Sequence, residues 1–164
     1  MKKRKKPAKR KNPNVPVKKV LRRIAYDLWS IAVRSDWNWR CAKCGNSNCE
    51  AHHVIPRQHV ATTLSLRNGI SLCGWCHRLD PNMAPHQNPR GWIKWLDATY
   101  PELLRWYEET EESGAHKAFT GTVNDQYYVC EIRRLLTYVP DDHLERVSRD
   151  IVGVKFSRWL EESE

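Results

Sequence analysis

Two Cys-x-x-Cys pairs, Cys41/Cys44 and Cys73/Cys76, bracket residues 45–72, and within or just beyond that bracket lie His52-His53, Asn68 and His77. No other feature of the chain limits its fold as strongly. Four soft thiolates are the donor set of a closed tetrahedral structural Zn2+, and closing it brings two separated segments together. The stretch between the pairs is longer than the usual zinc-ribbon gap, so it must hold structure of its own. His52, His53 and His77 are left over for a second, open metal site. Cys49 lies near the first pair but is not needed once four better-spaced cysteines exist. Cys130, among apolar neighbours, reads as an inert buried thiol.

Six cysteines in 164 residues could also staple a secreted scaffold. That reading is opposed by an amino terminus that is basic and lacks the apolar core of a signal peptide. Zinc-bound thiolates in a reducing compartment fit better, and no apolar run is long enough to span a bilayer. The expectation is therefore a soluble, intracellular, cytoplasmic protein with no membrane partner. The net charge of +9 is uneven, with twelve of the 28 Lys and Arg, and no acid, falling in residues 1–23. Residues 1–16 are too charged and too proline-broken to bury themselves, so they read as a disordered basic tail whose natural partner is a polyanion such as a phosphate backbone. A solubilising tail or a localisation signal is the plainer alternative.

Apolar residues at helical spacing predict an amphipathic helix over 17–33, with Lys18, Lys19, Arg22 and Arg23 mostly on its outer side. Lys18 and Arg22 are candidate phosphate contacts. Residues 35–38 end that helix, and Trp37 and Trp39 are expected to cover the first Cys pair. A strand over 51–55 stopped by Pro56, a polar loop from Arg57, a turn at Asn68-Gly69, a second strand around Ile70 and Leu72, and a short helix carrying His77 follow. Asn88-Pro89 starts another helix, and a further one runs from Pro101 to about Ser113, stopped at Gly114. Helical segments over 127–139 and 142–151 complete a mostly helical α+β chain, with 114–164 read as a helical appendage. His59 and His116 have no companions at ligand spacing and read as exposed or satisfied.

The order strand, loop, strand, helix, with AHHVIP and then LRNGISLCGWCH, resembles the HNH, or ββα-metal, endonuclease superfamily. The resemblance implies a ββα-metal core within residues 17–113, stapled by the four-cysteine zinc and flanked by helices. It implies a metal-dependent enzyme hydrolysing DNA phosphodiester bonds, acting on double-stranded DNA. By position, His52 corresponds to a metal ligand, His53 to the general base, Asn68 to the middle residue of the motif, a catalytic position expected to hydrogen-bond across the loop and fix the geometry of the base, and His77 to its last, a second metal ligand. The segment APHQNPRGW further resembles phage-type HNH endonucleases, including recombination nucleases of the lambda NinG group. That makes His86 the candidate third ligand and implies a phage-type origin. Imidazole can take a proton from water near neutral pH, which Lys or Arg cannot do. The nitrogen-rich donor set suits Mn2+, Co2+, Ni2+ or Zn2+ better than Mg2+, so broad divalent activation is expected, with Mn2+ or Ni2+ at least as effective as Mg2+.

Adjacent strand residues face opposite ways, so two neighbouring histidines serving one site are expected to need a distorted strand end. Arg57 and Arg67 flank the loop and are candidate phosphate contacts. The alternative reading is a noncatalytic zinc-ribbon module that binds nucleic acid. Oligomeric state is not legible in the sequence.

Overall fold

The computed structural model describes residues 17–143. The basic tail at 1–16 and the helix expected at 142–151, from residue 144 onward, lie outside the described residues.

Helix α1 (Val17–Asp36) runs three residues past the expected end. Its stripe of Leu21, Ile24, Ala25, Leu28, Trp29, Ala32 and Val33 is buried. Much of what buries it is α5 (Asp125–Leu136), which lays Tyr128, Val129, Ile132 and Leu135 against it. Asn124 starts α5 as an N-cap, its side chain accepting from Tyr127 N at 2.9 Å. The carboxy-terminal segment thus shares a core with the first helix, so Asp125–Leu136 does not stand apart from the 17–113 region. Cys130 is exposed rather than buried: on a helix whose inward positions are 128, 129, 132 and 135, residue 130 falls on the outer side.

Strands β1 (Cys49–His53) and β2 (Gly69–Cys73) form an antiparallel hairpin in which Cys49 faces Cys73, His52 faces Ile70 and His53 faces Gly69. Between them lie the short helix α2 (Val60–Thr63) and a 3-10 turn, Leu66–Asn68. The first strand starts and ends two residues earlier than expected. Val54 N still donates to Asn68 O at 3.0 Å, but Ile55 N turns instead to the Asn68 side chain, and Pro56 has no N–H to continue a ladder. Gly69 is required by packing: a Cβ there would sit 2.2 Å from Val33 Cγ2 of α1. One face of the hairpin therefore presses on α1.

The other face carries Val54, Ile70 and Leu72 into a second core with Cys41, Cys76, Trp92, Leu96 and Leu104. Trp92 and Leu96 come from α3 (Pro89–Thr99), capped by Asn88, which accepts from Gly91 N at 2.9 Å. Leu104 comes from α4 (Pro101–Glu112), which stops before Gly114 in the left-handed region at φ 69°. Trp37 packs against both cores and donates from Nε1 to Gly69 O at 3.2 Å. Trp39 instead stacks on His143 with ring centroids 4.2 Å apart. The described residues are thus mostly helical α+β, as the sequence implies. Among them no helix is long and apolar enough to cross a membrane.

Candidate metal centres

Cys41, Cys44, Cys73 and Cys76 converge, with their sulfur atoms within 4.8 Å of one another. The first pair sits in a tight turn: Gly45 N donates to Cys41 O at 2.9 Å and Cys41 N to Asn46 O at 2.8 Å, with Gly45 at φ 74°. Ala42 N donates to Ser71 O at 2.8 Å and so joins this turn to β2. Cys73 ends β2, and Cys76 lies in the following π-helical turn, Trp75–Leu79. Cys44 and Cys73 sulfurs are 3.6 Å apart, far beyond the roughly 2.05 Å of a disulfide. Sulfurs placed about 2.3 Å from one zinc are separated by roughly 3.8 Å in a tetrahedron, so the cluster fits that ion. The thiols also pull apart in acidity. Burial pushes Cys41 up, but hydrogen bonds from the Cys73, Cys44 and Lys43 backbone and the Cys44 side chain bring it down to about 7. Burial and neighbouring sulfurs push Cys76 well above the ordinary thiol range. Four crowded thiols cannot all ionise without a cation among them. The donor set and its spacing suggest a structural Zn2+ site.

The second centre is built from three elements. His52 is on β1, His77 on the π-helical turn, and His86 in the loop before α3. His77 Nε2 lies 2.9 Å from His52 Nδ1 and 3.0 Å from His86 Nε2. Three imidazole nitrogens about 2.0–2.1 Å from one ion are separated by roughly 3.3 Å, so a small outward movement would admit a divalent metal. Cys76 and His77 are neighbours yet serve different clusters, because successive helical residues diverge by about a quarter of a turn. Burial, then the charges of His77, His86 and His53, bring His52 down to about 3. It is therefore neutral, as a ligand must be. Burial also lowers His77, against an opposing interaction with Glu50.

His53 occupies the other face of β1. Its ring stacks on Trp29 of α1, centroids 3.8 Å apart and planes 12° from parallel. Its Nε2 is 2.9 Å from Thr63 O, and since a carbonyl can only accept, Nε2 carries the proton and Nδ1 keeps its lone pair. Burial holds this imidazole below its ordinary range, partly offset by the Thr63 hydrogen bond. His52 and His53 both line one cavity of about 530 Å³, with His77, His86, Trp92 and Arg57. The expected strand distortion is not needed for this. The histidines point to opposite faces, one toward the π-helical turn and one toward α1, and the cavity spans the place where the strand stops.

Asn68 is fully buried. Its Oδ1 accepts from Ile55 N at 2.6 Å, and its Nδ2 donates to Ile55 O at 3.0 Å and Thr62 O at 3.2 Å. These side-chain hydrogen bonds go to the loop backbone rather than to a histidine, so it acts as a clamp on the loop that presents Thr63. Of the candidate arginines, exposed Arg57 lines the cavity, whereas Arg67 lies over the Trp106 ring, 5.5 Å from its centroid, and lines a separate groove with Trp37 and Tyr100. Lys18 and Arg22 are exposed on α1, with Arg22 5.5 Å from the Tyr26 ring centroid. His116 is buried with Nδ1 3.0 Å from Thr110 O, and His59 meets it edge-on at 4.5 Å.

Sequence reasoning missed Trp29 and Thr63, which hold His53, and Glu50 beside His77. Trp29 and Thr63 act across the tertiary fold and left no local signal. Glu50 did leave one, since strand alternation puts residue 50 on the same face as residue 52. Comparison with protein-family models, curated proteins and solved structures returns no match.

Proposed function

We propose that this chain is a metal-dependent endonuclease of the HNH type that hydrolyses DNA phosphodiester bonds. The observation that carries the reading is the joint arrangement of the cavity: three histidine nitrogens converge within it, and a fourth histidine, its tautomer set by Thr63 O so that Nδ1 keeps its lone pair, lines the same cavity. A divalent cation held by His52, His77 and His86 would supply Lewis-acid stabilisation of the charge that gathers on phosphate and leaving oxygens.

His53 Nδ1 takes the proton from the attacking water. Trp29 beneath the ring and the Thr63 carbonyl at its edge keep that atom aimed, while burial, working against the Thr63 hydrogen bond, favours the neutral ring that can accept a proton. Arg57 at the rim holds a neighbouring phosphate. Asn68 keeps the 54–68 loop, and therefore Thr63, at a fixed distance from β1. The donor set, three imidazoles and no carboxylate, suits manganese, nickel or zinc better than magnesium. DNA as the substrate is supported by the charge distribution, with its run of basic residues and no acid through residue 23.

The test is a supercoiled-plasmid assay across a panel of divalent metals, run beside His53→Ala. Cutting is expected from the unaltered protein and a loss of about 10²- to 10⁴-fold from the variant. Undiminished cutting by folded, zinc-loaded His53→Ala would remove the general-base role. Binding without cutting under every metal would leave a noncatalytic zinc module.

A further inference from the structure

Glu50 and His52 share one face of β1, and that face looks toward the π-helical turn carrying His77 and Arg78. The Glu50 carboxylate is divided between these two. Oε2 pairs with the Arg78 guanidinium, and Oε1 lies 3.1 Å from His77 Nδ1. That ring nitrogen is buried, and no aligned acceptor satisfies it. Its partner across the ring, Nε2, is the atom shared between the His52 and His86 contacts.

A histidine that ligates through Nε2 must carry its proton on Nδ1, and a buried N–H with no acceptor is destabilising. We propose that Glu50 is a positioning residue of the histidine centre: it accepts the Nδ1 proton of His77, which sets the ligating tautomer and the rotation of the ring, and Arg78 holds the carboxylate in place. The inference rests on the reading of the histidine cluster as a metal site. An ordinary half-exposed Glu–Arg pair would contribute little to stability and nothing to a metal. Here the second carboxylate oxygen stands beside the one ring atom that a metal-bound His77 leaves in need of an acceptor.

The experiment uses the full chain with its four-cysteine site loaded with zinc, and zinc content is measured before and after. Ni2+ binding is followed by calorimetry for the unaltered protein, Glu50→Leu, Glu50→Gln and His77→Ala, with circular dichroism to confirm that each is folded. Glu50→Leu is expected to weaken Ni2+ by about 10- to 100-fold. Glu50→Gln, which keeps an acceptor without the charge, should lose distinctly less. Equal Ni2+ affinity for Glu50→Leu and the unaltered protein, with binding abolished in His77→Ala, would overturn the role of Glu50 and leave the histidine centre standing. Equal losses in the Leu and Gln variants would also overturn it, since the effect would then be one of charge alone. No Ni2+ uptake by the unaltered protein beyond that of His77→Ala would overturn the centre itself, and Glu50 with it.

Discussion

The cysteine cluster and the histidine cluster are joined through adjacent residues, Cys76 and His77, yet they are opposite kinds of site. The first has four soft donors, enough to close a tetrahedron, and three of the four cysteines are buried. The second has three converging nitrogens on histidines that line a cavity of about 530 Å³, which leaves room for water or a phosphate oxygen. A closed shell can only hold, whereas an open one can also react. A zinc held by the four cysteines would tie the first turn, the end of β2 and the π-helical turn together, and Cys76 in that turn is the neighbour of His77.

The comparison is broken most severely by attacking the closed site. Cys76→Ser is expected to leave three thiolates and abolish tight zinc binding, with loss of cooperative melting and of Ni2+ uptake at the histidines, followed by circular dichroism and calorimetry. If the histidines still bound metal in a protein without zinc, the two sites would be independent. Next in size is His53→Ala, whose loss of cutting of about 10²- to 10⁴-fold should come with zinc content and melting temperature close to those of the unaltered chain. That separation of activity from stability is what distinguishes the open cavity from the closed cluster.

Asn68→Ala should do the converse. Removing three buried hydrogen bonds strands Ile55 N–H and the Ile55 carbonyl, while the Thr62 carbonyl keeps its bonds from Leu64 N and Ser65 N, a destabilisation of about 2–4 kcal/mol by chemical denaturation. Cutting at a temperature where the variant is folded should fall less than in His53→Ala, because Asn68 reaches only the loop that carries Thr63. The smallest effect is expected from deleting residues 1–16. DNA affinity should weaken and its salt dependence flatten in fluorescence anisotropy, while the rate at saturating DNA stays nearly unchanged.

Much of the architecture was legible because short-range chemistry declares itself. Asn88-Pro89 and Gly114 mark helix ends through capping and left-handed backbone, needs that two or three residues satisfy alone. The ligand residues were legible for a similar reason, since few other uses account for paired cysteines and a histidine doublet. Cys130 misled because apolar neighbours in sequence do not say which side of a helix is covered. Only the docking of α5 on α1 places it outside. Arg67 was grouped with Arg57 because both flank the same loop, but the turn at 66–68 carries it to Trp106.

By itself, the sequence determined the donor sets, the hairpin between them and the order of the helices, because all of these follow from residue type and spacing. The tertiary structure alone decided that His86 reaches His52 and His77, that Trp29 and Thr63 orient His53, and that Glu50 stands behind His77. Each of those contacts joins separate elements of the fold. Their distances depend on how a whole helix or hairpin packs against another, and no local pattern of residues encodes that.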